Sequence, residues 1–297
     1  RCKAILMFSI IIPTYNNLEY LKITLNSIFK NSKFKHDIIV HINEGIDGSL
    51  DYIKSKNIEF TYSEKNIGLC SAVNIAAKKS KTEYVLYSHD DMYFCPGWDI
   101  CLNDEVKKLN NEKFYLSASM IEQKSGHIQF DAGDTFENFD ENKLLSNFDN
   151  IKYFDFQGSH WAPHLIHKKI WDEIGGFSEE FNPGMGSDPD LNMKLWQNGV
   201  RIFKGLSNFK VYHFGSISLR KKKDLIVNNG SKTFLKKWKI TPKFFTKHYL
   251  RGGTFKNNRI ISKNYIGPVD DPIKNFSYYF DLIKCKIKLL QIFLNKK

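Results

Sequence analysis

Two patterns of apolar residues alternate along the first part of the chain. Short continuous apolar runs rich in branched side chains, such as residues 4–12, are typical of strands buried on both faces. Between these runs, apolar residues recur three or four positions apart, which predicts helices. The first helix is marked by Leu18, Leu21, Leu25 and Ile28, and Asn16 or Asn17 is the expected cap. The sequence predicts strands over 4–12, 37–42, 58–62, 83–88 and 114–120, and helices after 17, 48, 68 and 187.

This alternation of strands and helices predicts an α/β fold, with a Rossmann-like, mostly parallel central sheet flanked by helices. Ligands of such sheets bind beyond the carboxyl ends of the strands. The segments to inspect are therefore 13–17, 43–47 and 89–91, and all three are polar. After residue 110 the pattern loosens, with a loop-rich stretch over about 122–160, and we expect a second half built on the same sheet.

Composition narrows the class of protein. The chain has 297 residues, of which 42% are hydrophobic, so it can bury a sizeable core. Lys and Arg number 44 against 32 Asp and Glu, a net charge of +12 that favours an anionic partner such as a nucleotide, a phosphate, nucleic acid or an acidic membrane. The five cysteines form no CxxC pair, so we expect reduced thiols. No apolar run approaches the roughly 20 residues of a membrane span, and we expect a cytoplasmic protein.

The strand predicted over 83–88 delivers a cluster of polar side chains to the ligand-binding edge. His89, Asp90 and Asp91 follow it directly. Carboxylate oxygens hold Mg²⁺ or Mn²⁺, and the oxygens of a diphosphate can complete the coordination sphere. A strand-end turn or helix cap before Pro96 is the alternative interpretation, and a pair of acids taken alone fits it better.

The order of several short motifs favours the functional interpretation. The motifs are Pro13-Thr14-Tyr15-Asn16, Asn43-Glu44-Gly45, Asn66-Ile67-Gly68 and His89-Asp90-Asp91. Together they resemble family 2 glycosyltransferases of the GT-A fold. The resemblance covers about residues 8–215. It implies a GT-A catalytic domain over 1–215, with a nucleotide-sugar-binding half over about 1–110 and an acceptor-binding half over about 111–215. The residues beyond it predict a basic helical C-terminal extension over 216–297.

The resemblance also assigns the donor site. It implies that Asp91, the last acid of the D-x-D motif, binds Mn²⁺ or Mg²⁺, while His89 replaces the first acid. The residues implied in binding the nucleotide sugar are Pro13, Thr14, Tyr15, Asn43, Glu44, Asn66, Gly68, Asn74, His89 and Asp90.

Further candidates come from the second half. The resemblance implies that His213, at the end of an apolar strand, is a second metal ligand, although a lone histidine is usually structural. His160 and Trp161 are candidates for the acceptor or sugar pocket, since aromatic faces pack on the C–H faces of sugars. Core packing explains Trp161 equally well.

Asp188 stands where the family places its catalytic base, and Ser187 replaces the usual Glu before it. A carboxylate suits this role because it is ionised at neutral pH. The alternative is a helix cap, with Pro189 at the first helical position. Asp190 is a candidate for the acceptor or sugar pocket, or a favourable first-turn charge.

The C-terminal region is strongly basic, with Arg220-Lys-Lys-Lys223 and a final stretch over 275–297. In that stretch apolar residues fall at helical spacing among lysines. It predicts either an interfacial helix on an anionic membrane or a helix packed on the catalytic domain.

Taken together, the sequence and the resemblance predict an inverting, metal-dependent glycosyltransferase. The expected donor is a nucleoside diphosphate sugar, with a UDP-sugar favoured, and the acceptor a hydroxyl of a glycan or lipid-linked glycan in surface polysaccharide synthesis. One alternative is a sugar-1-phosphate nucleotidyltransferase, whose glycine-rich loop is missing after the first strand. The other is a nonenzymatic protein that binds glycans or nucleic acid, although the basic residues lack the interleaved aromatics of a strand-binding surface.

Overall fold

The computed structural model describes residues 7–215, 228–256 and 259–294. The beginning of the first predicted strand and the basic run Arg220-Lys-Lys-Lys223 lie outside the described residues. The strands are β1 (Ser9–Tyr15), β2 (Asp37–Asn43), β3 (Glu59–Ser63), β4 (Tyr84–Tyr87), β5 (Met92–Phe94), β6 (Phe114–Glu122), β7 (Ile128–Gln129), β8 (Phe156–Gln157), β9 (His164–His167), β10 (Ile202–His213), β11 (Thr254–Lys256) and β12 (Arg259–Ile261). The helices are α1 (Leu18–Asn31), α2 (Ser49–Ser55), α3 (Leu69–Ala77), α4 (Trp98–Leu109), α5 (Glu141–Ser146), α6 (Lys168–Glu173), α7 (Ser187–Gln197), α8 (Gly230–Trp238), α9 (Pro242–His248) and α10 (Phe276–Leu294).

One mixed sheet is formed by strands between residues 9 and 213, in the order β3-β2-β1-β4-β9-β6-β10-β5. β1 pairs in parallel with β2 and β4, and β6 pairs in parallel with β10. β9 is antiparallel to both β4 and β6, so it joins the two parallel groups while leaving them pointing the same way. As a result, the carboxyl ends of β1, β2, β4, β6 and β10 meet along one edge of the sheet.

The core forms where the predicted apolar runs and stripes meet. Ile10, Ile11 and Ile12 of β1 are fully buried, which explains why this strand has no polar face. Burying side chains of this size contributes about 1.5–3 kcal/mol each. The buried face of α1 includes Leu21, Leu25 and Ile28, as the spacing predicts.

The hydrogen bond that caps the start of α1 comes from a different residue than the sequence predicts. Asn17 occupies the cap position, but its side chain makes no capping hydrogen bond. Instead, the Asp47 carboxylate accepts the backbone N–H of Leu18 at 2.7 Å. A residue that follows β2 therefore caps the helix that follows β1, a tertiary contact that local sequence does not reveal.

The C-terminal extension is seated closely against the loop before α7. The Asn228 side chain donates to the carbonyl oxygens of Phe181 and Met185, at 3.0 and 2.9 Å. Gly230 lies so near this loop that a Cβ there would fall 1.9 Å from the Met185 carbonyl oxygen. Only glycine allows this approach, so the described part of the extension is built into the catalytic domain rather than appended to it.

A buried carboxylate ties the extension to α7. Asp190 is fully buried, accepts the indole N–H of Trp238 at 2.7 Å and the Ser178 hydroxyl at 2.6 Å, and pairs with Lys237 at 2.9 Å. Asp190 therefore faces α8 instead of the acceptor or sugar pocket for which it was a candidate. Its three partners provide the compensation that a buried charge needs.

No helix among the described residues combines the length and apolar character required to cross a membrane.

We expect the Asp190–Trp238 hydrogen bond to make a measurable contribution to folding. Trp238→Phe should lower the free energy of unfolding by about 1–3 kcal/mol, because it leaves a buried carboxylate with one donor fewer. In a double-mutant cycle with Asp190→Asn, measured by urea unfolding, the two substitutions should couple by about 0.5–3 kcal/mol. Strictly additive effects would show that the two side chains do not depend on each other.

Candidate active site

A large cleft opens along the edge where the parallel strands end. Its volume is about 600 Å³, within the usual range for small-molecule sites. The segment after β4 supplies His89, Asp90 and Asp91, and the far wall supplies Asp188. Residues that are distant in the sequence thus share one cavity, as the carboxyl-edge rule predicts.

Two imidazoles and a carboxylate converge in this cleft. His89, Asp91 and His213 offer ligand atoms that all lie within 4.8 Å of one another. His213 Nε2 lies 3.6 Å from Asp91 Oδ1, and His89 Nδ1 lies 3.9 Å from the same oxygen. Burial lowers the pKa of His89, which favours the neutral imidazole that can bind a metal.

Glu122, at the end of β6, is a functional candidate that the sequence analysis missed. Its carboxylate lies 2.6 Å from Nδ1 of His213. Burial is the largest influence and opposes the ionised form of Glu122, but His213, Ser125 and His127 together outweigh it and hold the pKa of Glu122 below its ordinary value. Carboxylates that bond the second nitrogen of a ligating histidine fix its ring for metal binding. The position of Glu122 at a strand end was the only sequence feature that could have indicated it.

The donor set fits a divalent transition metal. Imidazole nitrogens suit borderline metals better than Mg²⁺, and the carboxylate suits Mn²⁺ as well. The carboxylate–histidine contact from Glu122 to His213 leaves Nε2 of His213 directed toward Asp91. The residues present are therefore suited to Mn²⁺ more than to Mg²⁺.

Asp90 is held as part of the cleft floor. Its carboxylate accepts the Thr14 hydroxyl at 2.6 Å, and its backbone carbonyl accepts the Thr24 hydroxyl at 2.8 Å. Burial, and next the charge of Asp91, raise the pKa of Asp90. Thr14 and Asp90 therefore lock the end of β1 to the segment after β4.

The remaining donor-site candidates divide into two groups. Pro13, Tyr15, Asn43 and Asn66 line the cleft together with Thr14 and the segment after β4. Asn43 also accepts the backbone N–H of Ile67 at 3.0 Å, which joins the end of β2 to the loop before α3.

Glu44, Gly68 and Asn74 do not line the cleft. The Asn16 amide donates to Glu44 at 3.0 Å. Gly68 has φ +83°, and a Cβ there would lie 2.4 Å from the Asn182 side chain, whose oxygen accepts the N–H of Cys70 at 3.0 Å.

The side-chain amide of Asn74 makes two hydrogen bonds to the backbone of one residue, Phe177. It donates to the Phe177 carbonyl oxygen at 2.8 Å and accepts the Phe177 N–H at 2.9 Å. Together with the Gly68–Asn182 approach, this contact joins the nucleotide half to the loop that leads into α7.

Asp188 lies in the first turn of α7 and faces the cleft. The cap position is Gly186, with φ +85° and no side-chain capping bond. The helix-cap alternative for Asp188 is therefore not seen. Burial raises the pKa of the Asp188 carboxyl group to about 7.

The second half and the extension close the cleft with aromatic and apolar side chains. His160 and Trp161 both line it, with ring centroids 4.5 Å apart. Trp161 also packs against the core, so both sequence interpretations apply to it. The extension contributes Ser231, Pro242, Thr246, Phe255 and Ile260. The lining of the cleft therefore includes residues beyond the predicted 1–215 domain.

Comparison with known proteins agrees with this architecture. The family model described as glycosyl transferase family 2 matches residues 9–171, more than half of the chain. An uncharacterized glycosyltransferase of Rickettsia typhi is 31% identical over 185 residues, covering 58% of this chain and 54% of that protein. A chondroitin synthase of Escherichia coli is 25% identical over 245 residues, covering 69% of this chain and 34% of that protein. The chain thus spans about half the length of the Rickettsia relative and a third of the synthase.

Two solved structures share the fold. TarS of S. aureus superposes with a TM-score of 0.53 at 18% identity, over 70% of this chain and 60% of that one. GalNAc-T7 in complex with UDP, GalNAc and Mn²⁺ superposes with a TM-score of 0.54 at 20% identity, over 70% of this chain and 44% of that one. The matched family, the strand order and the position of the cleft all agree with the resemblance in the sequence. The chain belongs to glycosyl transferase family 2 and has the GT-A fold.

Proposed function

We propose that the enzyme transfers a sugar from a nucleoside diphosphate sugar to a hydroxyl of a glycan or lipid-linked glycan, with inversion at the anomeric carbon. The observation that carries this proposal is the placement of Asp188 in the same cleft as the His89, Asp91 and His213 cluster and the nucleotide-side segments. One cavity thus offers a site for a donor diphosphate and a base for an acceptor.

The reaction is a single displacement. The acceptor oxygen forms a bond to the anomeric carbon as the bond from that carbon to the diphosphate oxygen breaks. The acceptor proton passes to Asp188, and the nucleoside diphosphate leaves with the bonding electrons. His89, Asp91 and His213 would hold a divalent metal, which would supply positive charge beside the departing diphosphate.

The pKa of Asp188 suits the role of a general base. With its pKa raised to about 7 by burial, the carboxylate is a stronger base than an ordinary aspartate. It is still substantially ionised at neutral pH. The rate of the transfer step should accordingly rise as the pH increases through about 7.

A UDP-sugar is the favoured donor. TarS has been crystallised with UDP and with UDP-GlcNAc, and GalNAc-T7 with UDP. Pro13, Tyr15 and Asn43 line the part of the cleft where the family resemblance places the base and ribose. Tyr15 supplies an aromatic ring and Asn43 an amide there.

A role in surface polysaccharide synthesis is the favoured biological setting, because one of the relatives is a chondroitin synthase, a polysaccharide-forming enzyme. A peripheral contact with a membrane surface belongs to the same proposal, since lipid-linked acceptors lie there.

Asp188→Asn tests the base directly. We expect UDP release from the UDP-sugar that the wild-type enzyme turns over to fall by about 10²–10⁴, the contribution of a general base. UDP affinity in the presence of Mn²⁺ should stay unchanged, because Asp188 acts on the acceptor. Asp149→Asn, an exposed aspartate, is the matched control and should retain wild-type turnover. Near-normal turnover by Asp188→Asn would remove this residue from the mechanism.

The same substitution has an expected effect on stability. Because burial raises the pKa of Asp188 from 3.8 to about 7, the folded state holds a proton that the unfolded state loses between these pH values. This group therefore lowers stability as the pH rises from about 4 to about 7. Asp188→Asn should be more stable than the wild type at pH 8, with a smaller difference at pH 5, in urea unfolding. An equal difference at both pH values would contradict the raised pKa.

Substitutions in the metal cluster test the donor site. His89→Ala, Asp91→Asn and His213→Ala should each weaken Mn²⁺-dependent UDP binding, measured by calorimetry, by at least about tenfold. Glu122→Gln should weaken it by about 10–100-fold through the ring orientation of His213. His167→Asn is the matched histidine control, since His167 ends β9 at the opposite edge of the sheet. Unchanged affinity in all four variants would overturn the metal assignment.

A further inference from the structure

The last helix, α10, has two apolar faces. One face packs on the domain: Tyr278 and Cys285 are buried, and Leu282, Leu289 and Ile292 pack against the core. This contact confirms the packed-helix interpretation for that side. It does not account for the other apolar residues of the helix.

The opposite face is exposed. At 100° per residue its side chains fall within a sector of roughly 80°, so they form one stripe along the helix. The side chains of the stripe are 49% to 85% exposed. The stripe consists of Phe276, Phe280, Ile283, Ile287, Leu290 and Leu294. Contiguous apolar surfaces of this kind mark sites of interaction.

Lysines border this stripe on both sides. Lys284 and Lys288 follow one margin and Lys286 the other, as the same helical spacing places them, and all three are exposed. An apolar stripe between lysines is complementary to an anionic bilayer surface, in which the apolar side chains enter the acyl boundary while the ammonium groups remain among the headgroups.

A second copy of this chain fits the surface less well. An isologous pair of α10 helices would bring the same surface of each molecule together, and with it the same bordering lysines. These like charges would repel one another at the margins of the contact. The charge pattern therefore favours a lipid surface over self-association.

We propose that the stripe of α10 docks on an anionic membrane surface and that the acceptor is carried on a membrane lipid. The docking does not depend on the proposed transfer reaction, whereas the acceptor class rests on it.

The acceptor class follows from the neighbour of α10. On α10, Asp281 accepts hydrogen bonds from Lys247 at 2.6 Å and His248 at 3.0 Å, both on α9. Pro242 and Thr246 of α9 line the catalytic cleft. When α10 is docked, only α10 therefore separates α9, which lines the cleft, from the bilayer.

Vesicle flotation of the full chain tests the docking. The protein should float with vesicles of phosphatidylcholine and phosphatidylglycerol, and weakly with phosphatidylcholine alone. Ile283→Asp combined with Ile287→Asp should reduce the vesicle-bound fraction by about tenfold or more. Lys286→Glu combined with Lys288→Glu should cause a loss of similar order, because each surface lysine contributes measurably to binding anionic lipid.

Matched controls separate docking from general surface effects. Phe29→Asp changes an exposed aromatic residue on α1, and Lys107→Glu combined with Lys108→Glu makes the same charge change on α4. Both controls should float like the wild type. All of the altered side chains are exposed, and unchanged Mn²⁺-dependent UDP binding verifies that each variant is folded.

The outcomes distinguish the two proposals. Asp188→Asn should float like the wild type, because Asp188 lies in the cleft and not on α10. A wild-type protein that stays unbound to anionic vesicles yet releases UDP would overturn the docking and leave the transferase proposal standing. The docking is also overturned if the wild-type protein sediments as a dimer and the combined Ile283→Asp and Ile287→Asp changes dissociate that dimer. Flotation that survives both α10 double variants would also overturn it.

Discussion

Acidic groups gathered at one end of a sheet are the constraint on which this structure depends. Asp90, Asp91, Glu122 and Asp188 all line one cleft, where burial raises the pKa of Asp188 and, together with the charge of Asp91, raises the pKa of Asp90. The protein compensates some of them locally: Thr14 donates to Asp90, and His213 contacts Glu122. Asp188 is compensated too little to offset its burial, which raises its pKa to about 7. The unfavourable environment of this carboxylate is what suits it to the proposed role of a base.

Hydrogen bonds elsewhere in the fold hold the two walls of the cleft in fixed positions relative to each other. Asn74 and Asn182 connect α3 to the loop before α7, and Asp190 connects α7 to α8 through Trp238 and Lys237. Asp188 and Asp190 lie two residues apart in the first turn of α7, yet one faces the cleft and the other the extension. The position of the proposed base is therefore set from both sides. The described part of the C-terminal extension contributes to the lining of the candidate active site.

The sequence predicted the parallel strands and their helices well, because apolar runs and three-to-four-residue spacing report burial directly. It also predicted that Asp91, His213 and Asp188 matter, through the order of motifs, and the structure brings all three to one cleft. It did not predict the short antiparallel strands β5, β8 and β9, which carry too few residues for a period. Glu122 was missed, whereas Glu44, Gly68, Asn74 and Asp190 were expected at the ligand and do not line the cleft. Their roles depend on contacts between residues far apart in the chain, such as Asp190 with Trp238, which no local pattern encodes.

The most direct measurement of the central claim is a crystal structure of the enzyme with Mn²⁺ and a UDP-sugar, with the metal located by its anomalous scattering. The account predicts manganese bound by His89, Asp91 and His213 and in contact with the diphosphate. It also predicts the Asp188 carboxylate on the side of the anomeric carbon opposite the leaving group. Manganese and nucleotide bound elsewhere, with Asp188 turned away from the sugar, would contradict it.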